Sequence, residues 1–503
     1  MDKQTIAWLA FGVYAVATAG LALRGMSRTK SLSGFALGNG DLGPVITGIT
    51  LAAAIASTAT FVINPGFVYK SGLAALLHFG VASFSGVVVG LVLFSKGFRR
   101  LGMEGRVLTL PQWVGARYGH SAMRTYFAVL NLVLSIAFVV LIVKGSALVM
   151  QHTLGTTYVV SLVIIVGFVF SYILMGGTYA HVYTNALQGA LMVAVAILIV
   201  GSGLSLFSDG VGAFFSQLAA QDPNLVKPLN PEAPLFDSAW GVLVCGFVVG
   251  VGLVAQPHIL TKSMYLRSDR DVNRYLIIAS SVWLIFTMIL MAGMYARIRY
   301  PDIVRQDEVM AIYLARSFSP ITGVLISVAL LAAGMSTLDG ILVSASTIAA
   351  NDVFLGALGQ RLLGDKTEEE RHAVALKASR YIIVAMGVVS FVVALDPPKL
   401  VGIFAQVGIY GLVAASLAPI AGGIFVKELA SRDVFLAALV GPLVHFAHYG
   451  VVVWGQGKVL NPAISATSGI LSALGLLTVL TLARRYGALS PARAATGDAP
   501  GAR

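Results

Sequence analysis

The chain has 503 residues, 57% of them hydrophobic and only 11% charged. A mean hydropathy of +0.86 excludes an ordinary soluble domain, whose surface needs far more charge. Continuous rather than alternating apolar runs exclude a β-barrel and predict an all-α polytopic membrane protein.

The net charge of +12 raises a nucleic-acid reading that its placement removes. Basic residues fall in every second connection: Arg24, Arg28 and Lys30; Lys96, Arg99, Arg100, Arg106 and Arg117; Lys262, Arg267, Arg270 and Arg274. The series continues with Arg361, Lys366, Arg371, Lys377 and Arg380, then Lys427 and Arg432, then Arg484, Arg485 and Arg493. Arg297, Arg299 and Arg305 are a local exception. This alternation is the positive-inside signature of topology. It predicts a multi-pass cell-membrane protein, with the lipid bilayer as surroundings, its N-terminus outside and its C-terminus cytoplasmic.

About thirteen spans are expected if a helix needs roughly 20 apolar residues to cross hydrocarbon. The first, Thr5–Leu23, is too long for a signal-peptide core and lacks a small-residue cleavage site, so it reads as a retained helix. The second is interrupted: Ala52 to Thr60 is small and polar, and Asn64-Pro65-Gly66 follows. Phe61, Phe67, Phe79 and Phe84 read as helix packing. Lys144 lies in the fourth span, where an unpaired ammonium is costly. It is a candidate for holding a substrate carboxylate, or it snorkels to the nearby interface. The stretch 207–237 is the longest outer loop, and its acidic residues outnumber the single Lys227. The seventh span repeats the interruption with Gly246, Gly250 and Gly252 before Gln256-Pro257-His258. Paired broken helices at matching positions point to an inverted-repeat transporter holding substrate where the helices unwind; small residues that merely allow close packing are the competing explanation. His445 and His448 sit in a late span and read as structural. Cys245 is the only cysteine, which excludes an internal disulfide framework or thiolate metal site.

The most informative segment is Ala332 to Asp339, Ala-Ala-Gly-Met-Ser-Thr-Leu-Asp. It sets two hydroxyls and a carboxylate deep in an apolar run, where each must find a partner inside the protein or bind something. Hard oxygens held dry suit a small alkali cation.

With Leu342 to Ser346 after it, this segment resembles the eighth core helix of the sodium/solute symporter family. Further stretches agree in order: Pro65-Gly66; Thr109-Leu110-Pro111 with Arg117-Tyr118-Gly119; Met175-Gly176-Gly177 with Tyr183-Thr184-Asn185 and Gln188; and Gln256-Pro257-His258. The resemblance implies a LeuT-type core of five plus five inverted helices, preceded by one helix and followed by two. The expected divisions are 1–34 for the N-terminal helix and first inner loop, 35–205 and 237–430 for the two repeats, 206–236 for the outer loop, 431–486 for two C-terminal helices and 487–503 for a disordered tail.

Carried over by this resemblance, sodium would be held by the backbone carbonyls of Ala53, Ala56 and Ala333 and the hydroxyls of Ser336 and Thr337. Asn185 stands where relatives often carry an aspartate. Asp339 therefore reads as a relocated acid serving a second cation or the exit path, with Asn185 and Ser336 as neighbours. Ser57, Thr58, Thr60, Lys144 and Gln256 are the substrate-side candidates. The expected function is sodium-coupled import of a small organic solute by alternating access, with a lean toward the monocarboxylate and acetate branch. Pantothenate, proline or another amino acid are alternatives, as is a solute-sensing membrane module acting with a separate partner. No enzyme motif, no cofactor beyond the coupling Na+ and no nucleic-acid partner is expected.

Overall fold

A computed structural model describes residues 2–28, 32–38, 42–359, 363, 366–397 and 400–486. Lys30, Arg361, Asp365, Arg493 and the expected tail at 487–503 lie outside the described residues. Helices account for every regular element there, as a chain with no alternating apolar runs requires.

Among the described residues ten helices are long and apolar enough to cross a membrane, and two bent pairs raise the number to as many as twelve. The expected thirteen requires Tyr158–Leu174, a shorter apolar helix, to cross as well. It is continuous with the next span except at Gly177, whose φ of 55° and ψ of −145° break the helix Tyr158–Gly201 in two. Only glycine tolerates that backbone at no steric cost. A Cβ there would also sit 2.4 Å from the Phe35 ring.

The main elements in chain order are α1 (Lys3–Arg28), α2 (Pro44–Ile55), α3 (Asn64–Ser71), α4 (Phe84–Glu104), α5 (Leu110–Tyr118) and α6 (Ser121–Leu154). After Tyr158–Gly201 (α7) come α8 (Gly246–Leu253), α9 (Pro257–Leu260), α10 (Asp269–Thr287), α11 (Val309–Ser317) and α12 (Pro320–Ile348). The series ends with α13 (Glu368–Leu395), α14 (Val401–Phe425), α15 (Ser431–Gly450) and α16 (Pro462–Arg485). The α12 helix is the centre of the bundle, buried from Val328 to Val343 without interruption. It packs against α1, α2, α6 and α7. The long loop expected on the outer side is not plain coil. Val211–Gln221 is a helix because Phe214 and Leu218, one turn apart, are both fully buried, with Phe214 against Phe207 and Tyr295.

Both predicted interruptions are present, bent by 55° between Pro44–Ile55 and Ala59–Ser71 and by 64° between Trp240–Leu253 and Pro257–Tyr265. The glycines of the seventh span are not what breaks it. Gly250 lies inside α8 and packs against Ser83 and Gly86; a Cβ on Gly86 would come within 2.2 Å of the Phe247 carbonyl. The competing explanation holds for these glycines: Gly250 lets α8 touch α4 through backbone, Gly246 packs on His78 and Ala82, and Gly252 packs on Val413 of α14. The break itself falls at Val254–Gln256, immediately before Pro257, which starts the next helix.

Gly86→Leu is expected to lower the stability of the detergent-purified protein by about 1–3 kcal/mol through overpacking. Gly167→Ala, where nothing lies within 4 Å, should leave the thermal unfolding midpoint unchanged or raised. Equal midpoints for both variants would refute backbone contact at Gly86.

Candidate functional site

The first break is shaped by its own side chains. Ala56 caps α2 at φ −78° and ψ 77°, outside helical geometry. The hydroxyl of Ser57 then accepts from the N–H of Ala59 at 3.1 Å, which satisfies one donor at the start of the second half. Chain rupture inside hydrocarbon is tolerated because such side chains re-satisfy the backbone.

Facing this break, α12 presents Ser336 and Thr337. Ser336 Oγ donates to the carbonyls of Ala53 at 2.8 Å and Ala333 at 2.9 Å, and Thr337 Oγ1 reaches the Ala53 carbonyl at 3.5 Å. Ala53, Ala56, Ala333, Ser336 and Thr337 are all fully buried. The structure therefore gathers neutral oxygens from two helices at one dry point, in the hydroxyl-to-carbonyl arrangement that a monovalent cation could replace. The donor set fits: uncharged, hard and enclosed.

One turn further along α12, Asp339 is fully buried. Its carboxylate accepts from Tyr172 Oη at 2.5 Å and Thr184 Oγ1 at 3.1 Å. Asn185 Nδ2 instead donates to the backbone carbonyl of Ser336 at 2.9 Å. The hydrogen-bond partners of Asp339 are therefore Tyr172 and Thr184 of α7, while Asn185 bonds the Ser336 backbone of α12. Helical geometry explains the exchange, since Thr184 and Asn185 are adjacent and point about 100° apart. The Asn185 side-chain oxygen is buried without a partner.

A central cavity of about 120 Å³ lies between the two breaks. Of the substrate-side candidates, Ser57, Thr60 and Gln256 line it. His258 lines it as well, and so does Phe79, which the sequence read only as packing. Trp283, Thr287, Gln406, Tyr410 and Asn64 complete the wall. Trp283 and Thr287 lie one turn apart on α10, Gln406 and Tyr410 one turn apart on α14 and Asn64 at the start of α3, and only the fold brings these three helices together.

Two candidates are elsewhere. Thr58 turns away from the cavity toward Gly145 and Gly334, with its hydroxyl buried and unpartnered. Lys144 neither faces the cavity nor snorkels. It is 7% exposed, and its Nζ lies 3.1 Å from Asp307 Oδ2, itself 8% exposed. Asp307 reaches it from the turn before α11.

The opposite end of α6 carries a second buried ion pair. Arg124 Nε lies 2.7 Å from Asp352 Oδ1, and Asp352 also accepts from Thr109 Oγ1 at 2.6 Å. Thr109 caps the start of α5 as well, by accepting from Gln112 N. The Thr109-Leu110-Pro111 stretch is therefore a latch between α5, α6 and the end of the central helix. Lys262, counted in sequence with the basic connections, is buried against His181.

The profile of the sodium:solute symporter family matches residues 35–441. A sodium/pantothenate symporter of Haemophilus influenzae is 27% identical over 425 residues, covering 83% of this chain and 84% of its own. The sodium/pantothenate symporter of Escherichia coli is 25% identical, covering 84% and 86%. A high-affinity proline transporter of Bacillus subtilis is 26% identical over 61% of this chain and 65% of its own. Among solved structures, a Na+-coupled sialic acid symporter in a substrate-bound outward-open state superposes with a TM-score of 0.77 at 20% identity, covering 96% and 98%.

Replacing Lys144 with Met strands the Asp307 carboxylate in a dry site and is expected to cost about 3–5 kcal/mol, as broken buried pairs do. Adding Asp307→Asn should recover most of it. Thermal unfolding of both variants checks this; a double variant no more stable than the single one would refute the pairing.

Proposed function

The chain belongs to the sodium:solute symporter family, and from that premise we propose how its own residues divide the work of sodium-coupled uptake of a small solute. It is a multi-pass membrane transporter and not an enzyme. Sodium is held by the carbonyls of Ala53, Ala56 and Ala333 and the hydroxyls of Ser336 and Thr337. The observation that carries this is the convergence of Ser336 Oγ on the carbonyls of Ala53 and Ala333 at 2.8 and 2.9 Å, across the unwound first break. Neutral ligands hold a monovalent ion weakly enough for release. Asp339 serves the ion's inward path, its negative charge set one turn beyond the ligands. The five core helices 35–205 and the five at 237–430 form the two inverted repeats, which rock against each other around this point. The N-terminus lies outside and the C-terminus in the cytoplasm, as the basic connections support.

The solute is a small organic molecule, and pantothenate, an alternative in the sequence reading, is the first compound to try, ahead of the acetate branch toward which that reading leaned. The two pantothenate symporters, covered over more than four fifths of their length, support that choice. So does a cavity wall that mixes Ser57, Thr60, Asn64, Gln256 and Gln406 with Trp283 and Tyr410. Such a wall suits a solute with a polar head and an apolar body. Lys144 has no part in binding it, being engaged by Asp307.

Uptake of labelled pantothenate, proline, acetate and a hexose into proteoliposomes tests this. Pantothenate is expected to accumulate only under an inward sodium gradient, and accumulation indifferent to sodium would sink the coupling. Ser336→Ala should raise the sodium concentration for half-maximal uptake roughly tenfold, about 1.4 kcal/mol. Asp339→Asn should slow uptake and change its sodium dependence. Normal uptake with unaltered sodium stoichiometry would remove Asp339 from the ion path.

A further inference from the structure

The first helix, α1, precedes both of the repeats proposed above, yet one side of it is built into the core. Its buried residues Ala7, Phe11, Tyr14, Thr18 and Ala22 recur at every third or fourth position and so share one face. The helix packs on α7 and α12. Gly25 extends the contact with α7: a Cβ there would come within 2.3 Å of the Ala180 backbone nitrogen. The opposite face is open, with Val13 71% and Val16 74% exposed.

Tyr14 joins two core helices through one hydroxyl. Its Oη donates to Met335 Sδ of α12 at 3.2 Å and accepts from Gln188 Nε2 of α7 at 2.9 Å. Both contacts border the proposed sodium ligands. Met335 immediately precedes Ser336. Gln188 belongs to a stripe of α7 formed by Asn185, Gln188 and Met192, spaced by three and then four residues. The other two members touch Ser336 itself: Asn185 Nδ2 donates to its carbonyl at 2.9 Å, and Met192 Sδ lies 3.8 Å from its Oγ. Gln188 is fully buried, and its Oε1 has no partner. Removing Tyr14 Oη would also take from Nε2 the acceptor it has, and a dry amide would lose the contact that orients it.

Ser336 and Thr337 can serve an ion only while α12 keeps them turned toward the first break. A hydroxyl oxygen about 4 Å from the helix axis moves by about 1 Å when the helix turns by roughly 15°. A ligand set loosened by about 1 Å no longer matches its ion. Asn185 and the Ala53 carbonyl hold Ser336 from two sides, and the Tyr14 bridge holds the residue before it from a third. We propose that Tyr14 is a positioning residue for sodium binding: from outside the repeats it fixes Gln188 and Met335, and through them the facing of Ser336 and Thr337 toward Ala53. The role rests on the sodium site proposed above. It makes α1 part of the coupling machinery, although it contributes no ligand.

The test uses the purified full-length protein in detergent, with its unfolding midpoint read as sodium chloride replaces choline chloride at constant total salt. Sodium is expected to raise the wild-type midpoint, and the readout is the sodium concentration that produces a fixed rise, which scales with the dissociation constant. Tyr14→Phe keeps the ring and should raise that concentration about fivefold, as the loss of one hydrogen bond does. Gln188→Leu cuts the same bridge and should do likewise, with the double variant moving it little further. Val16→Ala, on the open face of α1, should leave it unchanged. A purely structural α1 would let Tyr14→Phe lower the midpoint equally at every sodium concentration, and that result overturns the role. So does a Gln188→Leu protein with wild-type sodium dependence, which keeps the test decisive should Tyr14→Phe not fold. A wild type indifferent to sodium, or a Ser336→Ala protein that responds as the wild type does, overturns the sodium ligands and the role of Tyr14 with them. An unshifted Tyr14→Phe beside a shifted Ser336→Ala overturns Tyr14 alone, so the two readings can fail separately.

Discussion

Every polar group inside this bundle has to be answered by another protein group, because hydrocarbon supplies no water to do it. That constraint is sharpest at Ala56–Thr58, where the first broken span leaves the helical ladder. Ser57 caps the second half, and Ser336 and Thr337 approach the loosened first half from the central helix. The break and the central helix are therefore one unit. Without the α12 hydroxyls the Ala53 carbonyl would lose its side-chain donors, and without the break those hydroxyls would bond only along their own helix.

The same constraint organises α6. Its two ends carry buried ion pairs of opposite reach, Arg124 with Asp352 and Lys144 with Asp307, and Phe138 and Leu141 between them line the central cavity. Each pair ties α6 to an element that covers one end of the bundle: the extension of the central helix at one end, the turn before α11 at the other. A buried pair resists partial opening, since a half-separated pair would be desolvated without being matched. Motifs read as family markers, such as Thr109-Leu110-Pro111, owe their character to this latch.

Much of the site was legible because its signals are local. Ser336 and Thr337 stand out in an apolar run, and the first break announces itself in consecutive small and polar residues before Asn64-Pro65. Gln256 was legible from the adjacent Pro257. Lys144 was singled out correctly as anomalous and given the wrong partner. The group that answers it, Asp307, is distant in sequence and sits in a segment whose short helices lack a membrane-span signal. Gly250 misled for a related reason: a glycine that opens a helix and one that lets two helices touch look alike in a single sequence, and only the Ser83 carbonyl and Gly86 packed against it tell them apart.

By itself, then, the sequence determined what hydrocarbon dictates residue by residue: an all-helical chain, the spans, the alternation of basic connections, and the places where a polar group within a span demands an explanation. Tertiary structure alone decided which group answers which. It paired Lys144 with Asp307, gave Asp339 to Tyr172 and Thr184 rather than to Asn185, turned Thr58 away from the cavity, and buried Lys262 against His181. The physical reason is that the cost of burying a polar group is set by the group and is written in its own position. Its compensation comes from whichever helix packs opposite, and no local pattern of residues encodes that.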